Sequence, residues 1–306
     1  MSTSRQAPPG QTDPDGPAAT HEPPPSARLG AFGLVHPFPS TLVAVSTGAL
    51  GLIAGGTIAQ AAVLALAMGG FQASIGTIND LRDRDDDART QPWKPIPSGR
   101  VSPRTARSIA VVGAVVGALG SLALGPGALL VGLFGYGLGL AYDLRLKRTA
   151  WGWLCFAIAL PLVPVYAWLG VGEGLPPQAA TLFLLGALAG TELAIANGLV
   201  DAPGDGRLGG LGIAVRLGAT KARAAMAVAS LGVLGVAWAS IGTGAAAASP
   251  ASLGTGVTAL VIGSLVVVAG VAMSLRHAAA WSWRGWQAQG LGVAILALAW
   301  LVVVTQ

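Results

Sequence analysis

Apolar residues fill this chain in long blocks, and short polar segments separate the blocks. Nine candidate spans can be drawn, at 34–55, 58–78, 106–124, 127–143, 151–170, 178–200, 221–242, 254–275 and 288–305. Each is roughly 17–25 residues long, the length that an α-helix needs to cross the hydrocarbon of a bilayer. Pro126 divides the third block from the fourth, and Pro37 and Pro39 sit within the first. The pattern predicts an all-α membrane protein with nine transmembrane helices.

Composition agrees with that class. The chain has 306 residues, of which 53% are apolar and 10% charged, and its mean hydropathy is +0.65. Soluble domains carry about 25% charged residues, so a soluble globular protein is excluded. Residues 1–29 are rich in Pro and hold no apolar run, which predicts a disordered tail and no signal peptide. The membrane domain is then 30–306.

Charge orients the spans. All eighteen Lys and Arg lie in the tail or in alternate loops. Arg82 to Arg107 follow span two, Arg145, Lys147 and Arg148 follow span four, Arg207 to Arg223 surround the start of span seven, and Arg276 and Arg284 follow span eight. Loops rich in Lys and Arg stay on the cytoplasmic side, so the N-terminus is expected inside and the C-terminus outside. That requires an odd number of spans, and nine fits. The +5 net charge then reflects topology and anionic head groups or substrates. Without an aromatic-interleaved basic patch, no nucleic-acid partner is expected.

The polar residues that remain are sparse. Cys155 is alone, lies inside span five, and reads as a packing residue. His21, His36 and His277 show no zinc-ligand spacing. Trp151, Trp153 and Trp168 bracket span five as interfacial anchors would. Trp281, Trp283 and Trp286 read as a short basic loop on the membrane surface.

One polar pattern occurs twice. Asn79, Asp83 and Asp87 recur every fourth residue where span two ends, so on a helix they line one face. Asn197, Asp201 and Asp205 repeat the pattern at the end of span six. Asp83, Asp85 and Asp87 also match the start of a calcium loop, but Ala88 stands where that loop needs Gly and Lys94 where it needs Glu. Two facing sets of carboxylates suit divalent cations, and cations at oxygen-only sites commonly hold phosphates.

These residues carry a family resemblance. Asn79, Asp80, Asp83 and Asp87, followed by Lys94-Pro95-Ile96-Pro97-Ser98-Gly99-Arg100, resemble the first signature of the UbiA superfamily of intramembrane prenyltransferases. Asp201-Ala202-Pro203-Gly204-Asp205 resembles the second aspartate motif. Tyr142 followed by Leu146, Lys147 and Arg148 is similar to the Tyr/Lys element after span four. The resemblance covers residues 30–305 and implies a fold of nine transmembrane helices around a central cavity and magnesium-dependent transfer of a prenyl group from an allylic diphosphate to an acceptor, often aromatic. Three positions depart from it. His36-Pro37 stands where many members carry Arg-Pro. The Tyr-to-Lys spacing is five, which puts Leu146 at the commoner spacing and leaves Lys147 and Arg145 as candidates. Glu192, inside span six, belongs to no motif, yet a carboxylate at that depth is costly and marks a pocket group by default.

The resemblance implies that Asp83, Asp87, Asp201 and Asp205 are the catalytic carboxylates and, with Asn79 and Asn197, hold Mg2+. Lys94, Arg100, Tyr142, Lys147 and Arg148 would join the two Asn in binding the substrate, the cationic groups pairing with diphosphate oxygens. The expected partners are a prenyl diphosphate, a small aromatic acceptor and the lipid bilayer, with the site on the cytoplasmic face of the plasma membrane. A terpene cyclase of the same fold, which needs no acceptor, stays open as the alternative. A transporter fits less well, because transporter sites lie near the midplane and these carboxylates gather at one surface.

Overall fold

The computed structural model describes residues 30–305 apart from 176–177, 208–209, 245–249 and 277. Side chains of 202–207, 242–244, 250–252 and 279 are also outside the described residues, as are the whole N-terminal tail and Gln306. A 3-10 helix, Gly30–Val35, leads into nine α-helices among the described residues: α1 Pro37–Ile53, α2 Ile58–Thr90, α3 Pro103–Leu124, α4 Pro126–Ala141, α5 Gly152–Val171, α6 Ala179–Arg207, α7 Ile213–Gly244, α8 Pro250–Ser274 and α9 Ala279–Thr305. A π-helical turn, Tyr142–Leu146, closes α4. Eight of the nine are long and apolar enough to cross a membrane; α1, with 17 residues, is shorter. The protein is an integral, multi-pass, all-helical membrane protein.

Local sequence sets the helix ends. Thr57 and Gln60 start α2 with a reciprocal capping box, in which Gln60 N–H donates to Thr57 Oγ1 at 3.2 Å and Thr57 N–H to Gln60 Oε1 at 2.9 Å. Ser102 caps α3, and Pro103 and Pro126 open α3 and α4 from the first turn, where no N–H is needed. Small residues let neighbouring helices touch backbone to backbone. A Cβ on Gly70 of α2 would meet the Gly113 carbonyl of α3 at 2.7 Å, and one on Gly285 of α9 would meet the Gly270 carbonyl of α8 at the same distance.

Several ends differ from the apolar blocks. α2 continues twelve residues past position 78, to Thr90, so Asn79 to Asp87 stand on a polar extension of a membrane helix. α7 begins at Ile213 and breaks at Gly218, whose φ of 73° is left-handed. α9 begins at Ala279, so Trp281, Trp283 and Trp286 belong to its first turns and do not form a loop. There Trp281 lies between Arg276 and Arg284, 4.3 and 5.5 Å from their guanidinium carbons, and Trp286 meets Phe38 of α1 edge-on. Trp151 is exposed, as an anchor should be, but Trp168 is buried in the main core beside Leu50, Leu64 and Tyr166. Cys155 is buried too.

The polar extension of α2 is held in place from both sides. The segment from Gln91 to Ser102 packs through Ile96 and Val101 against Leu34 and Ala106. Its backbone closes on itself, with Ser98 N–H donating to the Lys94 carbonyl and Val101 N–H to the Pro95 carbonyl, both at 3.0 Å. Gly99 takes a left-handed φ of 73° at the turn.

Candidate active site

Three elements bring their polar residues to one end of the bundle: α2, the π turn after α4, and the last turns of α6. On α2, Asp80, Asp83 and Asp87 are all buried, at i, i+3 and i+7 on one face. Buried carboxylates need partners, and each has at least one. Lys94 Nζ donates to Asp80 Oδ1 at 3.1 Å and to Asp87 Oδ2 at 2.9 Å. Lys147 Nζ donates to Asp83 Oδ2 at 2.8 Å and to Asn79 Oδ1 at 3.2 Å. Arg148 lies 3.7 Å from Asp83 Oδ1 and also bonds Asp86. Burial opposes the charge on Lys94, but the facing carboxylates of Asp80 and Asp87 outweigh it and hold its pKa above the ordinary lysine value. Burial likewise works against Lys147, and Asp201 and Asp83 overcome it in the same direction. Both ammonium groups are therefore fixed cations.

The π turn explains the unusual Tyr-to-Lys spacing. Lys147 N–H donates to the Tyr142 carbonyl at 2.8 Å, an i to i+5 bond that inserts one residue into the helical turn. Lys147 is thereby turned onto Asn79 and Asp83, while Tyr142 meets α6: Asn197 Nδ2 donates to its hydroxyl at 3.3 Å. Of the two candidates for the Tyr/Lys element, Lys147 is the one whose side chain bonds Asn79 and Asp83. On α6, Asn197 also approaches Asp201 Oδ2 at 3.4 Å. The side chain of Asp205 lies outside the described residues. A cleft opens between α5, α6 and the start of α7, lined by Tyr142, Lys147, Trp153, Ala194, Gly198, Asp201 and Ile213.

Of the residues singled out from sequence, Asn79, Asp83, Asp87, Lys94, Tyr142, Lys147, Arg148, Asn197 and Asp201 gather at this end. Arg100 is exposed, donates to Ser98 Oγ at 2.9 Å and bonds the Trp93 carbonyl, so it braces its own loop. Glu192 is fully buried on the α6 face that carries Ile195, Ala196 and Leu199 toward α7, off the Asn197–Asp201 face. Neither of its carboxylate oxygens has a hydrogen-bond partner of good geometry among the described residues, and Ser230 of α7 is the polar side chain within its reach.

Sequence reasoning named Asp80 within the first signature without giving it a role, and passed over Asp143. Asp80 shares Lys94 with Asp87 and also meets His36 at 3.1 Å. Its signal was the i, i+3, i+7 spacing with Asp83 and Asp87, hidden behind the four-residue repeat. Asp143 is buried on the π turn, its Oδ2 without a partner among the described residues, and only its place beside Tyr142 hinted at it.

The donors suit magnesium. Carboxylate and amide oxygens are the ligands that Mg2+ prefers, and it binds through one or two carboxylates while keeping waters and substrate phosphates. No three His, Cys, Asp or Glu among the described residues converge tightly enough to hold a metal by themselves. A site completed by phosphate oxygens fits that arrangement.

Residues 38–282 match the UbiA prenyltransferase family. The chain belongs to that family. It is 33% identical over 194 residues to the digeranylgeranylglyceryl phosphate synthase of Methanopyrus kandleri, a match covering 60% of this chain and 71% of the relative. Its fold is that of a UbiA homologue from Aeropyrum pernix K1, with a TM-score of 0.66 at 19% identity over 87% of this chain and 96% of the other. It is also similar to a UbiA homologue from Archaeoglobus fulgidus bound to DMAPP and Mg2+, with a TM-score of 0.63 at 18% identity over 87% and 99% of the two chains. As a UbiA member the chain is a prenyltransferase.

Proposed function

We propose that this enzyme moves a prenyl group from an allylic diphosphate to a small acceptor, an aromatic ring or a hydroxyl compound, with magnesium, at the cytoplasmic face of the plasma membrane. One observation carries the reading: two acidic helix ends, Asn79 to Asp87 and Asn197 to Asp201, meet across the buried ammonium of Lys147. That arrangement offers oxygen ligands and a fixed cation side by side, as a metal diphosphate requires.

Asp83 and Asp87 on α2, and Asp201 and Asp205 on α6, would hold Mg2+ with the amide oxygens of Asn79 and Asn197. When bound, the metal neutralises the charge that collects on the departing diphosphate. Lys94, Lys147 and Arg148 pair with the remaining phosphate oxygens, and Arg100 keeps the Lys94 loop in shape and adds charge at its rim. Tyr142 fixes Asn197 at the start of the α6 site. The cleft beside Trp153 and Ile213 shields the allylic carbon from water, which would otherwise capture the cation.

The test is a product assay. Purified protein in lipid, supplied with Mg2+, a panel of prenyl diphosphates and candidate acceptors, should yield prenylated acceptor by mass. Prenyl diphosphate alone should yield little beyond the slowly formed alcohol. A cyclised terpene as the main product without acceptor would overturn the transferase reading in favour of the cyclase.

A further inference from the structure

His36 is the one residue outside glycine with a left-handed backbone among the described residues, at φ 47° and ψ 69°. A non-glycine residue there is strained and persists only where its surroundings hold it. The surroundings do hold it. Leu34 is fully buried against Ile96, Val101 and Ala106, and Ser40 Oγ donates to the Val35 carbonyl at 2.5 Å. A Cβ on Gly76 of α2 would lie 2.9 Å from His36 Cδ2, so only glycine lets the ring approach. The ring Nε2 then sits 3.1 Å from Asp80 Oδ1.

That contact sets the tautomer. Asp80 Oδ1 also takes a hydrogen bond from the Lys94 ammonium, so it acts as a carboxylate acceptor and Nε2 of His36 carries the proton. The basic lone pair is then on Nδ1, at the far side of the ring from the Cδ2 that faces α2. Among the described residues Nδ1 has no hydrogen-bond partner, and a third of the His36 side chain, 33%, remains exposed. The charged groups around the ring are Asp80 from α2, Lys94 from the following loop and Asp143 from the π turn.

Depth along α2 gives the arrangement its meaning. Asp80 and Gly76 precede Asp83 by three and seven residues, so His36 stands about 5–10 Å further into the membrane at 1.5 Å per residue. Asp143, which feels the charge of both His36 and Lys147, links the ring to the end of the cleft that Tyr142 and Lys147 line. On the prenyl-transfer reading, a diphosphate held at Asp83 and Asp87 would have its allylic carbon on that apolar side, within reach of an acceptor beside His36.

We propose that His36, oriented by Asp80, is the general base that takes the proton of an acceptor hydroxyl as its oxygen is alkylated. The proposal rests on the prenyl-transfer reading and narrows its acceptor to a hydroxyl compound. The bond from the allylic carbon to the diphosphate oxygen breaks, and its electron pair leaves with the diphosphate. The acceptor oxygen bonds to that carbon and releases its proton to His36 Nδ1. Asp80 stays ionised and stabilises the imidazolium, which later returns the proton to water.

The test uses the full chain in lipid, with geranyl diphosphate and Mg2+ as donor, and alkyl alcohols or phenols as separate acceptor arms. His36→Ala should lower ether formation by about 10²-fold or more, while binding of geranyl diphosphate with Mg2+ persists. Added imidazole should restore part of the transfer. His36→Gln, which can still donate to Asp80, should stay as slow as His36→Ala. Near-normal transfer by either variant would overturn the proposal, as would failure of imidazole to raise the rate of His36→Ala, or a product joined at carbon. Unaltered protein that neither binds nor ionises geranyl diphosphate would overturn the prenyl-transfer reading, and this proposal with it.

Discussion

The Lys147 ammonium lies 2.8 Å from the Asp83 carboxylate, which is 64 residues away in sequence and on another helix. The pair is largely buried, with 17% and 12% of the two side chains exposed. Removing one partner leaves the other charge stranded, whereas removing both does not. Lys147→Met should therefore lower the melting temperature, and Lys147→Met with Asp83→Asn should recover much of the loss. Transfer should fall by roughly 10²-fold in the single variant, the usual cost of deleting one charge-stabilising donor. It should stay low in the double variant. Recovery of activity together with stability would show that the pair is structural only.

Removal of metal should be equally decisive. The carboxylates of Asp83, Asp87 and Asp201 repel diphosphate unless a cation intervenes. Chelator should abolish both transfer and diphosphate binding, and Mg2+ should restore them. Full turnover in excess EDTA would sink the assignment of these residues.

Individual carboxylates on α2 should differ by position. Asp83→Ala should remove most activity, and so should Asp201→Ala on α6. Asp85 points to solvent, with 82% of its side chain exposed and only Arg84 beside it, so Asp85→Ala should be silent. If all three variants keep similar rates, the active face of α2 has been misplaced.

Glu192 tests a different kind of burial. Both its oxygens lack partners of good geometry among the described residues, and an ionised carboxylate in such a place is costly. Glu192→Gln keeps the shape without the charge, so the melting temperature should hold or rise and transfer should continue. A sharp loss of transfer with the fold intact would place Glu192 in the acceptor pocket.

The sequence was most legible where chemistry demands a spacing. Asn79, Asp83 and Asp87 recur one helical turn apart, a spacing that puts their oxygens on one face as a metal diphosphate would need, and Lys94 announced itself through the Pro95-Ile96-Pro97 loop. Lys147 was harder: a periodic reading assumes α-helix, and only the π turn brings a five-residue spacing onto Asp83. Asp80 and His36 were obscured for a related reason, since their contact joins residues 44 apart through a backbone conformation that no pattern announces. The start of α9 was read as a loop because Arg284, Gly285 and Gln287 interrupt the apolar run. Gly285 in fact lies against the Gly270 carbonyl of α8, and one turn on Gln289 donates to Ser274 Oγ at 2.8 Å, while Arg284 stays exposed over Trp281. Arg100, a basic residue of the same motif, bonds Ser98 and the Trp93 carbonyl of its own loop, contacts that no spacing announces.

Orientation gives the last prediction. The basic loops and the acidic motifs share one end of the bundle, and Lys- and Arg-rich loops are retained in the cytoplasm. Glu173, just past the end of α5, is exposed at the other end. Cys155 is buried in α5, so Cys155→Ser should be tolerated and provide a background for single cysteines. In intact cells, an impermeant thiol reagent should label Glu173→Cys but not Thr90→Cys, which terminates the polar extension of α2. After permeabilisation both should react. Labelling of Thr90→Cys alone in intact cells would invert the protein. The diphosphate site would then face away from the cytosol, where a charged donor that cannot cross the bilayer is unable to reach it.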